Sequence, residues 1–551
     1  MLSWTRGNYG LGLAMQHIEP GQWGLGLAFI ACVAVLAIAL CGLAQNAGLR
    51  AVRLCGGLGL ALTAAAVGYL GWRGPRPDLD AMEHLHAAWL MAQGQVPYVD
   101  FWQHHAPVLW ILLAPVLGAM TPSATVLDLA RLVSLGLSAC AIALAVAVAQ
   151  RLHGTRTVSV FAFVLCLATV VPCELNSLRP DLLANVLCLG AVLVLMRPWR
   201  ARTSLASGVL LGLAAACHLR GAYLLAALPL AALSDLRRLP RGLALTAAHW
   251  AGAALGLLPL ALWLQRHGLV QLYLDWVVHF NGSLDSRPGG VLPLLPVALV
   301  VAWWVRVRAD RWGDLGDRER LVSAAIGLGV LQFVTMVNMK FVYHEQLILL
   351  TGAAVGAEEA RRLWAALLSA RRPAVAGALV GVLFLPTAIG SGDLLVGGYD
   401  EGKREIATLI ALCGQQPVVT VPSGHPIFAP DATDLSQPWQ FNWWLERPEI
   451  RARLRGMASR VIAARPALVL EYVYGPPAPY PTKSSFVNRL LAAHTVTPQE
   501  GARLARFLLR GYNLISIGQH RYWVRQDRPI PPEVTVLRRA GLNSPDAPPL
   551  G

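Results

Sequence analysis

The sequence predicts a mostly α-helical membrane protein: a polytopic bundle of about 11–13 transmembrane spans followed by a small α/β domain. Of its 551 residues, 55% are hydrophobic and only 14% are charged, and the mean hydropathy is +0.50. Soluble domains carry about 25% charged residues, so this composition favours a membrane protein. The net charge of +15 does not indicate nucleic-acid binding, because the arginines lie between apolar runs.

Apolar runs long enough to cross a bilayer as helices recur before the C-terminal part of the chain. The first of them, from about Trp23 to Ala44, lacks a convincing signal-peptide cleavage site, so we expect it to remain as a membrane helix. The candidate spans are residues 22–44, 54–72, 124–150, 157–172, 181–196, 203–217, 221–234, 242–264, 291–305, 321–338, 347–360 and 373–392.

The distribution of arginines predicts the orientation of these spans. Arginines are concentrated in alternate loops, for example 306–320, and the positive-inside rule places such loops in the cytoplasm. The usage of alanine, leucine, arginine and glycine indicates a GC-rich bacterial genome, so the opposite face would be the periplasmic face of the inner membrane. The segments predicted on that outer face are residues 73–123, 173–180, 265–290, 339–346 and everything after about 393.

The first outer loop, residues 73–123, combines acids, histidines and aromatic residues. We predict an amphipathic helix from Asp80 to Gln93, ended by Gly94, which lies along the membrane surface with its polar face toward a cavity. An extended stretch carrying Asp100 follows, and the apolar run 108–119 returns to the interface. Placing ionisable groups at a bilayer costs free energy, so their presence favours a functional role. We therefore expect the catalytic site in this loop.

Two carboxylates of this predicted helix are the candidate catalytic groups. Asp80 or Glu83 could deprotonate a hydroxyl acceptor as it attacks an activated sugar carbon, and His84 lies beside them. The same spacing fits a capping box, in which Asp80 is the N-cap and Glu83 reaches back to its amide. The sequence leaves both interpretations open.

The adjacent histidines of this loop, His104 and His105, are candidates to bind a metal or a phosphate; a solvated pair is the alternative. Neighbouring residues of an extended chain point in opposite directions, so we expect at most one of them to face the site, together with Asp100. The nine cysteines show no metal-binding or disulfide spacing.

Cations on the outer face form a second group of candidates. Arg179 lies at the outer end of a predicted helix, against the general charge bias, and a guanidinium can hold a phosphate with two parallel hydrogen bonds. Asp181 either lines the site or caps that helix. The residues predicted to bind the phosphate of a lipid-linked donor, unless they extend to the headgroups instead, are Arg179, His218, Arg220, Lys340, Tyr343 and His344.

The tail after residue 393 alternates strand-like and helical patterns, which predicts a small α/β domain outside the membrane. The predicted elements are strands at 418–421 and 467–472, a helix at 498–510, a hairpin formed by 513–517 and 521–524, and a disordered end at 543–551.

The first outer loop resembles that of the GT-C glycosyltransferases, in particular bacterial members related to protein O-mannosyltransferases and to the lipid A aminoarabinose transferase. The residues that carry the resemblance are Asp80-x-x-x-His84, Gly94-x-x-Pro97-Tyr98-x-Asp100-Phe101, His105-x-Pro107 and, at a later helix, Arg179-Pro180-Asp181. The family often has Asp-Glu where this chain has Asp80-Ala81, so either Glu83 supplies the second carboxylate or that role is absent.

This resemblance implies an integral-membrane hexosyl- or pentosyltransferase that moves a sugar, with inversion, from a polyprenyl-phosphate donor to a hydroxyl of a lipid, glycan or protein. The family's first-loop aspartate is the catalytic base, and that role falls on Asp80. Some members use a divalent cation, here Mg²⁺ or Mn²⁺. The implied domains are an extra N-terminal helix and loop (1–53), a catalytic membrane domain (54–392) and a periplasmic C-terminal domain (393–551).

Two other functions are compatible with the sequence. A lipid-linked glycan flippase or polymerase is also polytopic, but a flippase is expected to carry its charges along the helices near the middle of the bilayer. In this chain the charges cluster at one face. A non-catalytic membrane scaffold is the third hypothesis, and it would tolerate the substitution Asp80→Asn.

Overall fold

The computed structural model describes residues 50–73, 79–168, 177–233, 239–282, 346–370, 398–420, 424–433, 447–472, 486–492, 496–518 and 520–539, with a few single positions between 372 and 379. The chain divides into two compact units, each built from segments that are distant in sequence. The first unit comprises Met1–Pro75 and Arg131–Gly398, and the second comprises Arg76–Ala130 and Tyr399–Gly551. The described part of the first outer loop therefore folds with the C-terminal segment.

The described residues are mostly helical. In chain order the helices are α1 (Arg50–Arg73), α2 (Leu79–Ala92), α3 (Val108–Ala119), α4 (Val126–His153), α5 (Arg156–Leu167), α6 (Pro180–Leu195), α7 (Ala201–Cys217), α8 (Ala227–Leu233), α9 (Leu239–Arg266), α10 (Val270–Tyr273), α11 (Gln346–Ser369), α12 (Gly398–Cys413), α13 (Pro448–Leu454), α14 (Met457–Ala464), α15 (Phe486–Ala492) and α16 (Pro498–Gly511). A 3₁₀ helix at Leu219–Ala226 precedes α8, and a π-helical turn at Leu274–Phe280 follows α10.

Two of the described helices, α4 and α9, are long and apolar enough to cross a membrane by length and composition. They coincide with the predicted spans 124–150 and 242–264. Several other predicted spans are shorter apolar helices, among them α5, α6 and α7. The predicted spans 22–44, 291–305 and 321–338, and most of 373–392, lie outside the described residues.

The predicted span 221–234 is not one continuous α-helix. The chain leaves α7 at His218, whose backbone is extended, and continues as the 3₁₀ helix before the short α8 begins. Gly221 packs so closely against α7 that an added Cβ would lie 2.7 Å from the carbonyl carbon of Ala214. The polar break at His218 and this close return of the chain together interrupt the helix.

Helices α7 and α9 approach each other through glycines spaced four residues apart on each helix. A Cβ added at Gly212 of α7 would lie 2.2 Å from the carbonyl oxygen of Ala253, and one at Gly252 of α9 would lie 2.1 Å from that of Leu205. Small residues at this spacing let two helix backbones come into contact.

This close approach makes Gly212→Ala destabilising, although alanine is the better helix former by about 1 kcal/mol. The added methyl group has to push the two backbones apart, so the melting temperature of the purified chain is expected to fall. Gly190→Ala in α6 is the matched control, because its Cβ would meet Leu210 Cδ1 at an ordinary 3.7 Å. Equal melting temperatures for the two variants would contradict the proposed backbone contact.

The sheet belongs to the second unit and has the strand order β1-β2-β4-β3-β5. The strands are β1 (Val418–Val419), β2 (Leu468–Tyr472), β3 (Tyr512–Ile517), β4 (His520–Arg525) and β5 (Thr535–Arg538). β1 and β2 are parallel, and the remaining neighbours are antiparallel. The predicted strands, the hairpin and the helix at 498–510 are confirmed, whereas the predicted disordered end at 543–551 lies outside the described residues.

Helix α12 makes polar contacts with two other parts of the second unit. Near its start, the Tyr399 hydroxyl donates to Asp128 Oδ1 at 2.9 Å, and Lys403 forms an ion pair with the same carboxylate at the beginning of α4. Near the middle of the helix, Glu405 accepts from the Nδ1 of His520 at 2.6 Å and from the Tyr522 hydroxyl at 3.2 Å. This second group is buried and joins α12 to strand β4.

Candidate functional site

Helix α2 confirms the predicted helix of the first outer loop, but its environment differs from the prediction. All residues from Ala81 to Leu90 are buried, including the polar Glu83, His84 and His86. The amphipathic pattern predicts a polar face toward a cavity. Other segments of the second unit cover that face, so the polar side chains of α2 meet protein groups instead of solvent.

The loop after α2 is a tight, hydrogen-bonded turn. Gly94 ends the helix with a positive φ of 83°, which glycine adopts without strain. Asp100 is exposed and accepts from the backbone N–H of Val96 at 2.7 Å, so it stabilises this turn. Tyr98 is fully buried, has a φ of 69°, and donates its hydroxyl to the carbonyl oxygen of His105 at 2.7 Å. The buried tyrosine thereby holds the segment that carries the two histidines.

Both histidines of this segment lie beside Glu83, which corrects the expectation that only one would face the site. Ligand atoms of Glu83, His104 and His105 all lie within 4.8 Å of one another, with His105 Nε2 3.7 Å from Glu83 Oε1. The chain bends at His105, so the alternation of a regular extended strand does not apply. The two imidazole centroids are 4.0 Å apart.

This group has the composition of a transition-metal site. One carboxylate and two imidazoles suit Zn²⁺, Mn²⁺ or related ions, whereas Mg²⁺ prefers oxygen ligands. The donor set therefore fits the predicted divalent cation, with Mn²⁺ favoured over Mg²⁺. His84 lies next to it, with its ring centroid 5.0 Å from that of His105. Its Nδ1 accepts from the Trp110 indole at 3.0 Å, which fixes the orientation of the ring.

Asp80 occupies the first turn of α2 and is half-buried. The helix begins at Leu79, so Asp80 stands inside it and is not the N-cap that the capping-box interpretation required. Because residues three apart lie on neighbouring parts of a helix surface, Asp80 and Glu83 remain close enough to serve one site.

A second histidine group, which the sequence analysis missed, lies on another side of α2. His86 Nδ1 is 2.7 Å from the carbonyl oxygen of Ile427, and its Nε2 is 2.9 Å from Asp431 Oδ2. His425 Nε2 is 3.2 Å from Asp431 Oδ1, while its Nδ1 accepts from the Ile427 N–H at 2.9 Å. Residues 424–433 of the C-terminal segment thus bind the helix of the first outer loop.

The hydrogen bonds of this group assign its protonation states. A carbonyl and a carboxylate can only accept, so both ring nitrogens of His86 donate and His86 is an imidazolium. The Nδ1 of His425 accepts, so His425 is neutral. Burial lowers the pKa of His425 to about 4. Burial by itself would raise the pKa of Asp431, but the charge of His86 and hydrogen bonds from both histidines outweigh it and hold that pKa well below its usual range.

The second group does not have the geometry of a metal site, although its ligand atoms also lie within 4.8 Å of one another. The ring centroids of His86 and His425 are only 3.7 Å apart. Two imidazoles bound through Nε2 to one tetrahedral zinc would have centroids about 5 Å apart. The accepting Nδ1 of His425 also leaves the proton on Nε2, the nitrogen that a metal would need.

In the first unit, polar residues collect at the start of α6. Arg179 is the N-cap residue of α6 and is 4% exposed. Asp181 Oδ1 lies 3.5 Å from His218 Nε2, so two predicted site residues meet here. One turn along, the Asn185 amide donates to Gln346 Oε1 at 2.9 Å, and both side chains are buried. Buried polar groups in an apolar helical unit require such partners.

The remaining predicted site residues are less informative. Arg220 lies in the 3₁₀ helix Leu219–Ala226, and Lys340, Tyr343 and His344 lie outside the described residues. The sequence offered one indication of the second histidine group, namely a second histidine, His86, in the same predicted helix as His84. Its partners are more than 340 residues away, a distance that no local pattern bridges.

Comparisons with known proteins identify the fold. No protein-family model and no curated protein matches the sequence. Among solved structures, the chain is similar to ArnT from Cupriavidus metallidurans in the apo state, with 11% identity, coverage of 84% of this chain and 96% of that chain, and a TM-score of 0.50. It is also similar to the Archaeoglobus fulgidus oligosaccharyltransferase in the apo form, with 10% identity, coverage of 87% and 75%, and a TM-score of 0.50. Both are GT-C members, so the predicted resemblance is confirmed at the level of the fold.

Single substitutions test which of the two histidine groups binds a metal ion. After chelator treatment, the purified chain is expected to bind Mn²⁺ or Zn²⁺ in a calorimetric titration, and Glu83→Gln is expected to weaken that binding by more than about tenfold. Asp431→Asn should lower the affinity less than Glu83→Gln does, because it removes none of the proposed ligands. Loss of binding in Asp431→Asn, with binding intact in Glu83→Gln, would refute this assignment.

Folding stability is expected to depend on the protonation of His425. Its pKa is about 4 in the folded chain, against 6.5 unfolded, so only the unfolded chain binds a proton between these values. Stability therefore falls as the pH is lowered through this window, by up to about 3 kcal/mol. The measurement is thermal unfolding of wild type and His425→Gln at several pH values.

The comparison with His425→Gln cancels the titration of groups that do not contact His425. Burial raises the pKa of Glu471 to about 7, although a hydrogen bond from the Trp523 indole opposes the shift; its contribution to stability is therefore lost as the pH rises toward 7. The titration of Glu471 contributes equally to the stability of the wild type and of His425→Gln. The advantage of the wild type over the variant should shrink toward acid pH, and a constant difference would contradict the neutral, buried state of His425.

Proposed function

We propose that the chain is an integral-membrane glycosyltransferase that moves a sugar from a polyprenyl-phosphate donor to a hydroxyl acceptor at the periplasmic face of the bacterial inner membrane. The observation that carries this proposal is the buried Glu83, next to two histidines and one turn from Asp80, in the first outer loop of a chain with a GT-C fold. A polytopic bundle of about 11–13 spans, oriented by the arginine-rich loops, would place this loop outside.

Asp80 is the proposed general base. Its carboxylate takes the proton of the acceptor hydroxyl as that oxygen attacks the anomeric carbon. The bond from this carbon to the phosphate oxygen breaks on the opposite side, so the product has inverted configuration and polyprenyl phosphate leaves. Half-burial suits this role, because the carboxylate remains accessible to an acceptor from the aqueous side.

Glu83, His104 and His105 are proposed to support the leaving phosphate. A divalent cation bound by them would neutralise negative charge that develops on the phosphate oxygens. His84, oriented by Trp110, would supply a further hydrogen bond to donor or acceptor, and His218 beside Asp181 remains a candidate from sequence. Arg179 suits a phosphate through its planar guanidinium, and Lys340, Tyr343 and His344 remain candidates from sequence.

The proposal predicts a specific loss in cells that lack the chain. Mass spectrometry of their glycolipids, surface glycans and glycoproteins should show one product lacking a single sugar, and wild-type protein should restore it. Asp80→Asn should lower the rate of transfer by about 10²–10⁴-fold, the usual contribution of a general base. Asp527→Asn is the matched control, because that exposed carboxylate pairs with Arg525 in the C-terminal segment and is not a candidate site residue; its rate should stay within about twofold.

The alternatives predict other outcomes in the same cells. A flippase would leave every sugar in place but trap the lipid-linked precursor on the cytoplasmic side, and a polymerase would shorten chains of otherwise complete repeats. A scaffold would work with Asp80→Asn at full rate, provided that immunoblotting shows the variant in the membrane. Any of these results would refute the transferase.

A further inference from the structure

We propose that residues 424–433 are a positioning element, which holds helix α2 by the ion pair between His86 and Asp431 and so fixes Glu83 against His104 and His105. The inference rests on the proposed function and assigns a task to the C-terminal domain within the same reaction. His86 and Asp431 would then be positioning residues that act through Glu83.

The spacing along α2 explains how the ion pair can fix the position of Glu83. His86 follows Glu83 by three residues, about 4.5 Å along the helix axis. Fixing the imidazole of His86 therefore fixes both the height and the rotation of the turn that carries Glu83. The carboxylate of Glu83 has to meet imidazoles from a separate loop, so a small rotation of α2 would separate them.

The His86–Asp431 pair is buried, and His425 is a third member of the group. The side chains of His86 and Asp431 are each 8% exposed, and His425 accompanies them on the carboxylate. Removing one partner of a buried ion pair leaves an uncompensated charge, which is strongly destabilising. The helix cannot turn away from residues 424–433 without breaking these bonds.

Residues 424–433 are themselves held in a constrained shape. Ile427 is fully buried and has a φ of 65°, a conformation that is strained for a β-branched residue. Its N–H is bound by His425 and its carbonyl oxygen by His86. Next to it, Phe428 packs edge-on against Trp89 of α2, with ring centroids 6.4 Å apart. The strain persists because contacts with α2 fix this backbone.

A second contact reaches the loop that carries the histidines. Arg453 of α13 donates to the carbonyl oxygen of Tyr98 at 3.2 Å, and Tyr98 in turn donates to the carbonyl oxygen of His105. The C-terminal domain thus holds both parts of the cluster: α2 with Glu83, and the loop with His104 and His105.

The pair Glu405–His520 provides a matched control. It is also a buried carboxylate–imidazole pair of the second unit, with side chains 5% and 6% exposed. It joins α12 to β4. A general need for an intact C-terminal domain would affect both pairs, whereas positioning of α2 affects only His86–Asp431.

The first test measures the helix directly, without an assay of transfer. Hydrogen exchange of the full chain, followed by mass spectrometry, reports the opening of peptides that cover residues 79–92. In His86→Gln and Asp431→Asn these amides should exchange at least about tenfold faster than in wild type, and in His520→Gln at the wild-type rate. Unchanged exchange in the first two variants, or equal acceleration in all three, would overturn the proposal.

The second test measures whether breaking the contact with α2 lowers the rate of sugar transfer. Purified protein is mixed with membranes of the deleted cells, which hold the acceptor, and with a lipid extract of wild-type cells as the donor source. His86→Gln and Asp431→Asn should lower the maximal rate about 10- to 100-fold, while the half-saturating amount of extract changes by less than about threefold. The double variant should be no worse than the poorer single one, because both substitutions break one contact.

Melting temperatures separate positioning from stability. The assay is run well below the melting temperature of every variant, so the folded fraction is complete. Should His86→Gln melt earlier but keep the wild-type maximal rate, the pair is only structural and the proposal is wrong. Glu83→Gln distinguishes the failure of the proposed function: full transfer by that variant refutes the role of Glu83, while the exchange data still decide whether residues 424–433 hold α2.

Discussion

Burial of the polar helix α2 is the constraint on which the second unit depends. A charged or polar side chain removed from water costs several kcal/mol unless it is hydrogen-bonded, and α2 buries Glu83, His84 and His86 together. Each of them requires partners that the helix itself cannot supply. The loop at 94–107 meets one side of the helix, and residues 424–433 meet another. The first outer loop and the C-terminal domain consequently form one compact unit.

The two histidine groups around α2 have similar composition and different chemistry. Each contains one carboxylate and two imidazoles within the same short distance. The backbone around Ile427 donates to one ring and accepts from the other, which fixes a charged and a neutral imidazole and produces an ion pair. Glu83 and its histidines have a donor set suited to a transition metal. Hydrogen-bond partners, more than proximity, therefore distinguish an anchoring group from a candidate centre of catalysis.

The first unit follows a different packing principle. Glycines on α7 and α9 bring helix backbones into contact, and the Nδ1 of the buried His249 lies 3.3 Å from the carbonyl oxygen of Ser204 between the two helices. Further polar side chains are gathered at the start of α6, where Asp181 meets His218 and Asn185 meets Gln346.

The sequence by itself determined the elements whose signals are local. Apolar runs marked α4 and α9, two short strand-like runs marked the hairpin of β3 and β4, and the acids and histidines of residues 73–123 marked the candidate site. The tertiary structure decided what depends on distant contacts: that His104 and His105 both meet Glu83, that the span expected at 221–234 breaks, and that His86 pairs with Asp431. Periodicity reports which side of an element is apolar, but a hydrogen bond between residues 345 positions apart exists only once the chain has folded.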